Sequence, residues 1–308
     1  MFLLRAKRML FSKHKLDKVR YRIWGYQSKK KQDDLIKYVD QAQLCVGISD
    51  TKYKHELVLS LTSYPKRFQT LPMTIKSLLL QDMKPNRIIV WYDCDENELT
   101  AQLLELEKYG VDFIHVEGKL GPHTKYFYAM QTFPDGIIIT VDDDMYYPPD
   151  LISTLYDTYI EHPDCICARR VHKMQFSGKR QFKKYRDWRI YYRGQKEESY
   201  TLFAQGCSGV LYPPNSLDKR AFDKEKIVKR CLWADDIWLK FMEVLNGRKV
   251  VWARNDYWFL PTVEGSQGSA LLVDNVRQDR NDSYIHIMNE CYGDEFWEMI
   301  EKGNHQNG

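Results

Sequence analysis

At 308 residues, 44% hydrophobic and 29% charged, the chain has the composition of a soluble globular protein and the length to bury a full core as one large domain or two. It holds no stretch of the roughly 18 apolar residues needed to cross a bilayer, and the apolar run at its start, Met1 to Arg8, is too interrupted for a signal peptide. Seven cysteines, an odd number without framework spacing, point to a reducing compartment and so to the cytoplasm.

Net charge is +4, yet residues 1–31 carry eleven Lys or Arg against Asp17 alone, a net +10 that leaves −6 for the rest. The same arm holds Phe2, Leu3, Leu4, Met9, Leu10, Phe11 and Trp24. Basic residues mixed with aromatic and aliphatic ones suit reversible attachment to an anionic membrane surface, worth about 1 kcal/mol per basic residue near it. A solvated tail is the plainer alternative. Nucleic acid is disfavoured as a partner by the acidic remainder. A short helix over about 33–46, with Leu35, Ile36, Val39 and Leu44 on one side, leads out of the arm.

Strands and helices then alternate. Leu57-Val58-Leu59, within Glu56 to Leu61, predicts a first strand, and Leu71 to Gln81 a helix with Leu71, Ile75, Leu78 and Leu79 inward. Arg87 to Tyr92 reads as a second strand, followed by a helix from about Asn97 to Tyr109 that stops at Gly110. Val111 to Val116 is a third strand, His123 to Thr132 a helix, and the β-branched run Ile137 to Val141 a fourth strand. A helix over 149–161 opens with Pro149, and a strand over 164–169 follows, in which Cys165 and Cys167 read as small core residues. Residues 171–203 are basic and aromatic without a clear period. Gly206 to Tyr212 resumes as a strand, Leu232 opens a helix running to about Asn246, and Lys249 to Ala253 is a further strand. A long stretch over 261–283, marked by Gly265, Gly268, Asn275 and Asn281, reads as a functional or disordered loop before helices near Tyr284 and Gly293.

Such alternation implies a mainly parallel sheet of right-handed βαβ units, whose ligands bind outside the carboxyl ends of the strands. That edge gathers Thr62 to Arg67, Asp93, Gly118 to Lys125 and Asp142-Asp143-Asp144. Two carboxylates about 4 Å apart repel by roughly 4 kcal/mol at an effective dielectric of 20. Three in a row either splay into water, as acidic turns do, or share a cation. Asp142 and Asp144, two residues apart, point to one side and could grip a hard divalent ion, with Asp143 facing elsewhere. An ion there, with Arg67 and Lys125 on the same edge, suits a nucleoside diphosphate; no Gly-rich phosphate loop is present. As a Lewis acid the ion would stabilise a departing diphosphate, and a sugar on that leaving group makes the reaction glycosyl transfer. Asp235-Asp236 is the pair best placed to deprotonate an acceptor hydroxyl, although acids at a helix start also serve as caps.

The valine-led Asp142-Asp143-Asp144 after a hydrophobic strand resembles the Asp-x-Asp motif of nucleotide-sugar-dependent glycosyltransferases with the GT-A fold. Ser60 to Arg67 and Ala234-Asp235-Asp236-Ile237-Trp238 resemble bacterial family 2-like members that build capsular or lipopolysaccharide sugars. The likeness spans about 56–260. It implies Mn2+ or Mg2+, a UDP- or similarly activated sugar donor, and a saccharide or lipid-linked acceptor at the inner face of the cell membrane. By the same resemblance Asp144 binds the metal and bridges the diphosphate, Asp142 contacts the ribose or the metal, and Asp143 belongs to the donor side. Ser63, Tyr64 and Asp93 lie near the nucleoside, and Arg67 and Lys125 near the phosphates. Asp236, or failing it Asp235, is the base of an inverting reaction, and His286 is a late metal ligand. Trp188, Tyr191, Tyr192 and Trp238 are candidates to stack on an acceptor, with packing in the core the plainer alternative for each. The implied organisation is an arm over 1–50, a GT-A domain over 51–260 with donor (51–170) and acceptor (171–260) halves, and C-terminal helices over 261–308. A nucleotidyltransferase and a non-catalytic carbohydrate- or polyanion-binding module are the competing readings; the first lacks a triphosphate loop.

Overall fold

The structure, a computed structural model, describes residues 28–95, 98–191, 197–257, 259–269 and 280–305. Most of the basic arm and Tyr192 lie outside them. The first described element is a helix, α1, over 28–41. Strands β1 (Leu57–Thr62), β2 (Arg87–Tyr92), β3 (Val111–His115) and β4 (Ile137–Thr140) alternate with helices α2 (Leu71–Leu79), α3 (Ala101–Leu104), α4 (Thr124–Thr132) and α5 (Leu151–Glu161). Short strands follow: β5 (Ile166–Ala168), β6 (Val171–Lys173), β7 (Phe176–Gly178), β8 (Gln181–Phe182), β9 (Arg189–Tyr191), β10 (Leu202–Ala204) and β11 (Val210–Tyr212). Helices α6 (Lys224–Arg230) and α7 (Asp235–Leu245), strand β12 (Val250–Trp252) and helix α8 (Arg280–His305) complete the described α-helices and strands.

The main sheet has the order β12-β5-β11-β4-β1-β2-β3. Pairs β4–β1, β1–β2, β2–β3 and β12–β5 are parallel, and β11 runs antiparallel to both of its neighbours. It is the α/β, mainly parallel GT-A-type sheet expected. Strand periodicity sorts the core into two layers: Leu57, Leu59 and Leu61 face one cluster with α2 and α5, while Val58 turns to the other side. The opposite cluster joins α4 and α7 to α8, whose Ile285, Met288, Tyr292, Phe296 and Ile300 recur every three or four residues and are buried. Cys165 and Cys167 are buried in the core.

Three differences from the sequence expectations have physical causes. The helix expected from about Asn97 begins later, where the Thr100 side chain accepts from Leu103 N–H and caps α3. A 3-10 turn, Glu105–Tyr109, then carries the chain to Gly110, whose φ of 89° closes it. The helices expected near Tyr284 and Gly293 are one helix, because the buried stripe of α8 continues through Gly293. The stretch without a period, 171–203, holds a small sheet, β10-β6-β9, whose three-residue strands are too short to show alternation.

Candidate active site

Asp142, Asp143 and Asp144 follow β4 at the carboxyl edge, and their side chains divide between two cations. Arg67 stands in a 3-10 turn after β1, is 5% exposed, and places Nη1 2.8 Å from Asp144 Oδ2 and 3.6 Å from Asp143 Oδ1. Ser63 Oγ donates to Asp143 Oδ2 at 2.6 Å, and Thr74 Oγ1 donates to the Asp143 carbonyl at 3.0 Å. Asp143 therefore ties the acid loop to β1 and α2. Burial pushes its carboxyl up to about 7 against the pull of Arg67 and Ser63. Asp144 is fixed from the far side, where Val263 N–H donates to its carbonyl at 2.8 Å and Gln267 Nε2 to its Oδ2 at 3.1 Å.

Asp142 turns the other way, a correction to the expectation that Asp142 and Asp144 point to one side with Asp143 apart: Asp143 and Asp144 share Arg67, and Asp142 faces Lys125. Lys125 Nζ lies 2.6 Å from Asp142 Oδ1 and 3.0 Å from Asp235 Oδ2. The lysine is placed by polar residues of the sheet: Trp91 Nε1 donates to Ser60 Oγ at 2.8 Å, and Ser60 Oγ donates to the Lys125 carbonyl. Burial opposes its charge, but Asp142, Asp235 and Asp236 together hold it protonated well above the ordinary lysine range. Tyr147 Oη accepts from Asp142 N–H at 2.8 Å and reaches the Cys207 carbonyl at 3.3 Å, pinning the loop to the turn before β11.

The acid pair opens α7 without capping it: the cap residue is Ala234, and no side chain bonds there. Asp236 instead receives Gly206 N–H on both oxygens, at 3.1 and 3.2 Å. Burial and then Asp235 raise the Asp236 carboxyl well above the usual range. Burial pushes Asp235 upward too, but Lys125 outweighs it and holds it below the usual value. His123, itself lowered to about 4 by burial, sets Nε2 2.9 Å from the Cys231 carbonyl. Two adjacent carboxyls with opposed environments are the arrangement that separates a proton acceptor from a fixed charge. A Cβ at Gly206 would stand 3.0 Å from Asp236 Oδ1 and 3.3 Å from Lys125 Nζ, so a bare backbone is what admits both groups.

The profile of glycosyl transferase family 2 matches residues 62–219, about half of the sequence and the segment that carries Arg67, Lys125 and the acid triplet. The chain belongs to glycosyl transferase family 2. No curated protein sequence matches it. Among solved structures it is similar to TarS 1-349 of S. aureus in complex with UDP, at 14% identity over 65% of this chain and 58% of that one, TM-score 0.44. It is also similar to S. aureus TarS, at 17% identity over 65% of this chain and 35% of that one, TM-score 0.44. The mannosyltransferase PcManGT from Pyrobaculum calidifontis, in complex with GDP-Man and Mn2+, is 10% identical over 86% of this chain and 73% of that one, TM-score 0.49. The chain thus spans between a third and three fifths of the length of the two TarS structures.

In this family 2 chain, the remaining sequence-derived residues divide. Tyr64, 36% exposed, and the partly exposed Asp93 stand on the same edge, after β1 and β2. Trp188 and Trp238 are corrections: both are buried in the core, and Trp238 Nε1 donates to the Ala221 carbonyl at 3.3 Å, so neither offers a face to a sugar. Their apolar area is better buried than exposed, and the sequence shows no period that would have distinguished them. Tyr191 lies on β9, paired with Val171, and its side chain falls outside the described residues, as does the whole of Tyr192. His286 is also a correction: its side chain is 71% exposed on α8 and pairs with Glu290 at 3.3 Å. Among the described residues, no group of three or more His, Cys, Asp or Glu is arranged to hold a metal. What the acid loop does offer is the hard oxygen donors of Asp144 at the sheet edge, with Asp142 turned apart toward Lys125. That set fits an ion of the Mg2+ or Mn2+ type held by one or two carboxylates and completed by substrate phosphates, rather than a dedicated cage. Gly206, His123 and Tyr147 escaped the sequence reading; the glycine-bracketed turn Gly206-Cys207-Ser208-Gly209 was the one available signal.

Proposed function

We propose that this chain is a metal-dependent, inverting glycosyltransferase that moves a sugar from a nucleotide-diphosphate donor, with a UDP-sugar favoured, to a hydroxyl of a saccharide or lipid-linked acceptor in cell-surface polysaccharide synthesis. The observation that carries the reading is the single cluster in which Lys125 joins Asp142, from the strand edge, to Asp235, with Asp236 held by Gly206 N–H at 3.1 Å. A donor-side carboxylate and a second acid with a raised pKa are thereby brought to one place.

Asp144 would hold the ion, which when bound supplies Lewis-acid stabilisation of the departing diphosphate, with Asp142 on the donor side beside Lys125. Arg67 and Lys125 add fixed positive charge on the same edge. Asp236 takes the proton of the acceptor hydroxyl as that oxygen bonds to the anomeric carbon and the bond to the diphosphate oxygen breaks. Asp236 is preferred to Asp235 because Asp235 is kept ionised against Lys125, whereas the raised Asp236 is the better proton acceptor. The basic arm supports work at the cytoplasmic face of a membrane. No described helix is long and apolar enough to cross one. Asp236→Asn tests the assignment: transfer should fall by about 10²–10⁴-fold with donor affinity retained. Full activity in Asp236→Asn, with loss in Asp235→Asn, would move the base to the neighbour.

A further inference from the structure

The small sheet beside Asp236 carries a line of largely buried polar groups that the chemistry above does not use. Phe203 on β10 lies opposite His172 on β6, and Gln205 N–H continues that ladder by donating to the Arg170 carbonyl at 3.0 Å. Residues two apart on a strand share a face, so Arg170, His172, Phe203 and Gln205 stand together. Side-chain contacts agree: Arg170 Nε donates to Gln205 Oε1 at 2.6 Å, and Gln205 Nε2 donates to Tyr185 Oη at 3.1 Å. The rings of His172 and Tyr185 are 5.8 Å apart. This chain of polar groups leads to the base, because Gln205 adjoins Gly206, whose N–H holds Asp236, and the Asp236 charge is felt at Tyr185.

His172 is the unexplained member. Both of its ring nitrogens are buried and have no hydrogen-bond partner among the described residues. Buried polar groups in native proteins are nearly always satisfied, so an open imidazole near a reaction centre is a place to receive a water, an ion or a polar group of a ligand. Arg170 supplies the charge that says which ligand. Its guanidinium, in a residue that is 7% exposed, lies 3.9 Å over the ring of Phe259. A planar fork beside an imidazole, a phenol and an amide is a set of donors matched to an oxyanion.

We propose that this face is an acceptor subsite for an oxyanion: a carboxylate or phosphate on the acceptor binds Arg170 and His172, with Tyr185 and Gln205 orienting them, and sets the neighbouring hydroxyl at Asp236. It rests on the glycosyltransferase reading and narrows that reading's acceptor to an acidic saccharide or a sugar or polyol phosphate. His172 and Arg170 act here as specificity-determining residues, while Tyr185 and Gln205 position them.

The test is a titration of the whole protein followed by the imidazole NMR signals, with that of His172 assigned by its loss in His172→Phe. Sodium glucuronate, inorganic phosphate and glucose are the probes. The expected result is a saturable shift of the His172 signal with glucuronate or with phosphate, the stronger arm identifying the anion, and none with glucose. Arg170→Gln should weaken that response at least tenfold, and Arg170→Lys should restore part of it if charge rather than the fork dominates. Equal response to glucose, or silence to both anions, would overturn the subsite. Nucleotide release from sugar donors by the unmodified protein is measured in parallel. Release with a silent His172 counts against the subsite alone; a responsive His172 without release from any donor counts against the transferase reading and leaves the anion site standing.

Discussion

Lys125→Met removes the cation that Asp142 and Asp235 share at 2.6 and 3.0 Å, with Asp236 close behind. A unit charge pair about 3 Å apart gains roughly 5–6 kcal/mol at an effective dielectric of 20. Most of that gain offsets desolvation, and breaking a buried pair typically costs about 3–5 kcal/mol. The 31% exposure of the Asp142 side chain places this site toward the lower end. Against a domain stability of about 5–15 kcal/mol, the variant stays folded, with a melting midpoint roughly 6–12 °C lower. The loss depends on pH in a definite direction. Without the lysine, burial is left as the leading influence on Asp142, Asp235 and Asp236, and it pushes their folded-state pKa values upward. Stability is then present below the unfolded value and lost as pH rises through the folded one. The gap between variant and wild type should therefore narrow between about pH 8 and about pH 5, measured by thermal melts in matched buffers. Lys125→Arg should recover much of the midpoint. A Met variant that melts with the wild type at the higher pH, or a gap indifferent to pH, would refute the shared-cation account.

Other outcomes follow from the same geometry. Gly206→Ala places a Cβ 3.0 Å from Asp236 Oδ1 and 3.3 Å from Lys125 Nζ; turnover should drop at least tenfold while donor affinity holds, and equal loss of both would point to general misfolding. Asp144→Asn keeps an oxygen for Arg67 but loses the charge for an ion, so turnover should cease to respond to Mn2+, with circular dichroism unchanged; a retained metal response would remove Asp144 from the ion's ligands. The raised carboxyl of Asp236 works as a base only when deprotonated, so kcat should fall with decreasing pH along a limb that lies above the ordinary aspartate value of about 4; a limb at or below that value contradicts the assignment. Removal of residues 1–27 should reduce partition to anionic vesicles and leave soluble-acceptor turnover intact; unchanged partition dismisses the membrane role of the arm.

Much of the fold was legible because its signals are local and strong. The runs Leu57-Val58-Leu59, Ile88-Ile89-Val90-Trp91 and Ile137-Ile138-Ile139 are buried parallel strands, and such strands announce themselves as unbroken apolar runs. The carboxyl-edge rule then brought Arg67, Lys125 and the acid triplet to one side of the sheet without any knowledge of contacts. What stayed hidden depends on tertiary context. Trp188 and Trp238 look alike in sequence whether they stack on a ligand or fill the core. The exchange of partners within the triplet, with Asp142 on Lys125 and Asp144 on Arg67, is set by where α4 and the turn at Pro65–Arg67 begin. Gly206 matters only because the antiparallel β11 enters between β4 and β5 and delivers its N–H to α7. Nothing in the local sequence encodes that crossing.

The central claim is metal-dependent transfer from a nucleotide-sugar donor, and the measurement that tests it most directly is nucleotide release from a panel of UDP-, GDP-, CMP- and dTDP-sugars with Mn2+ present and with a chelator. The account predicts release from one donor class, UDP-sugars first, abolished by the chelator and by Asp144→Asn and restored by added Mn2+. Release that survives the chelator and the Asp144 variant, or pyrophosphate release from a nucleoside triphosphate in its place, would contradict it.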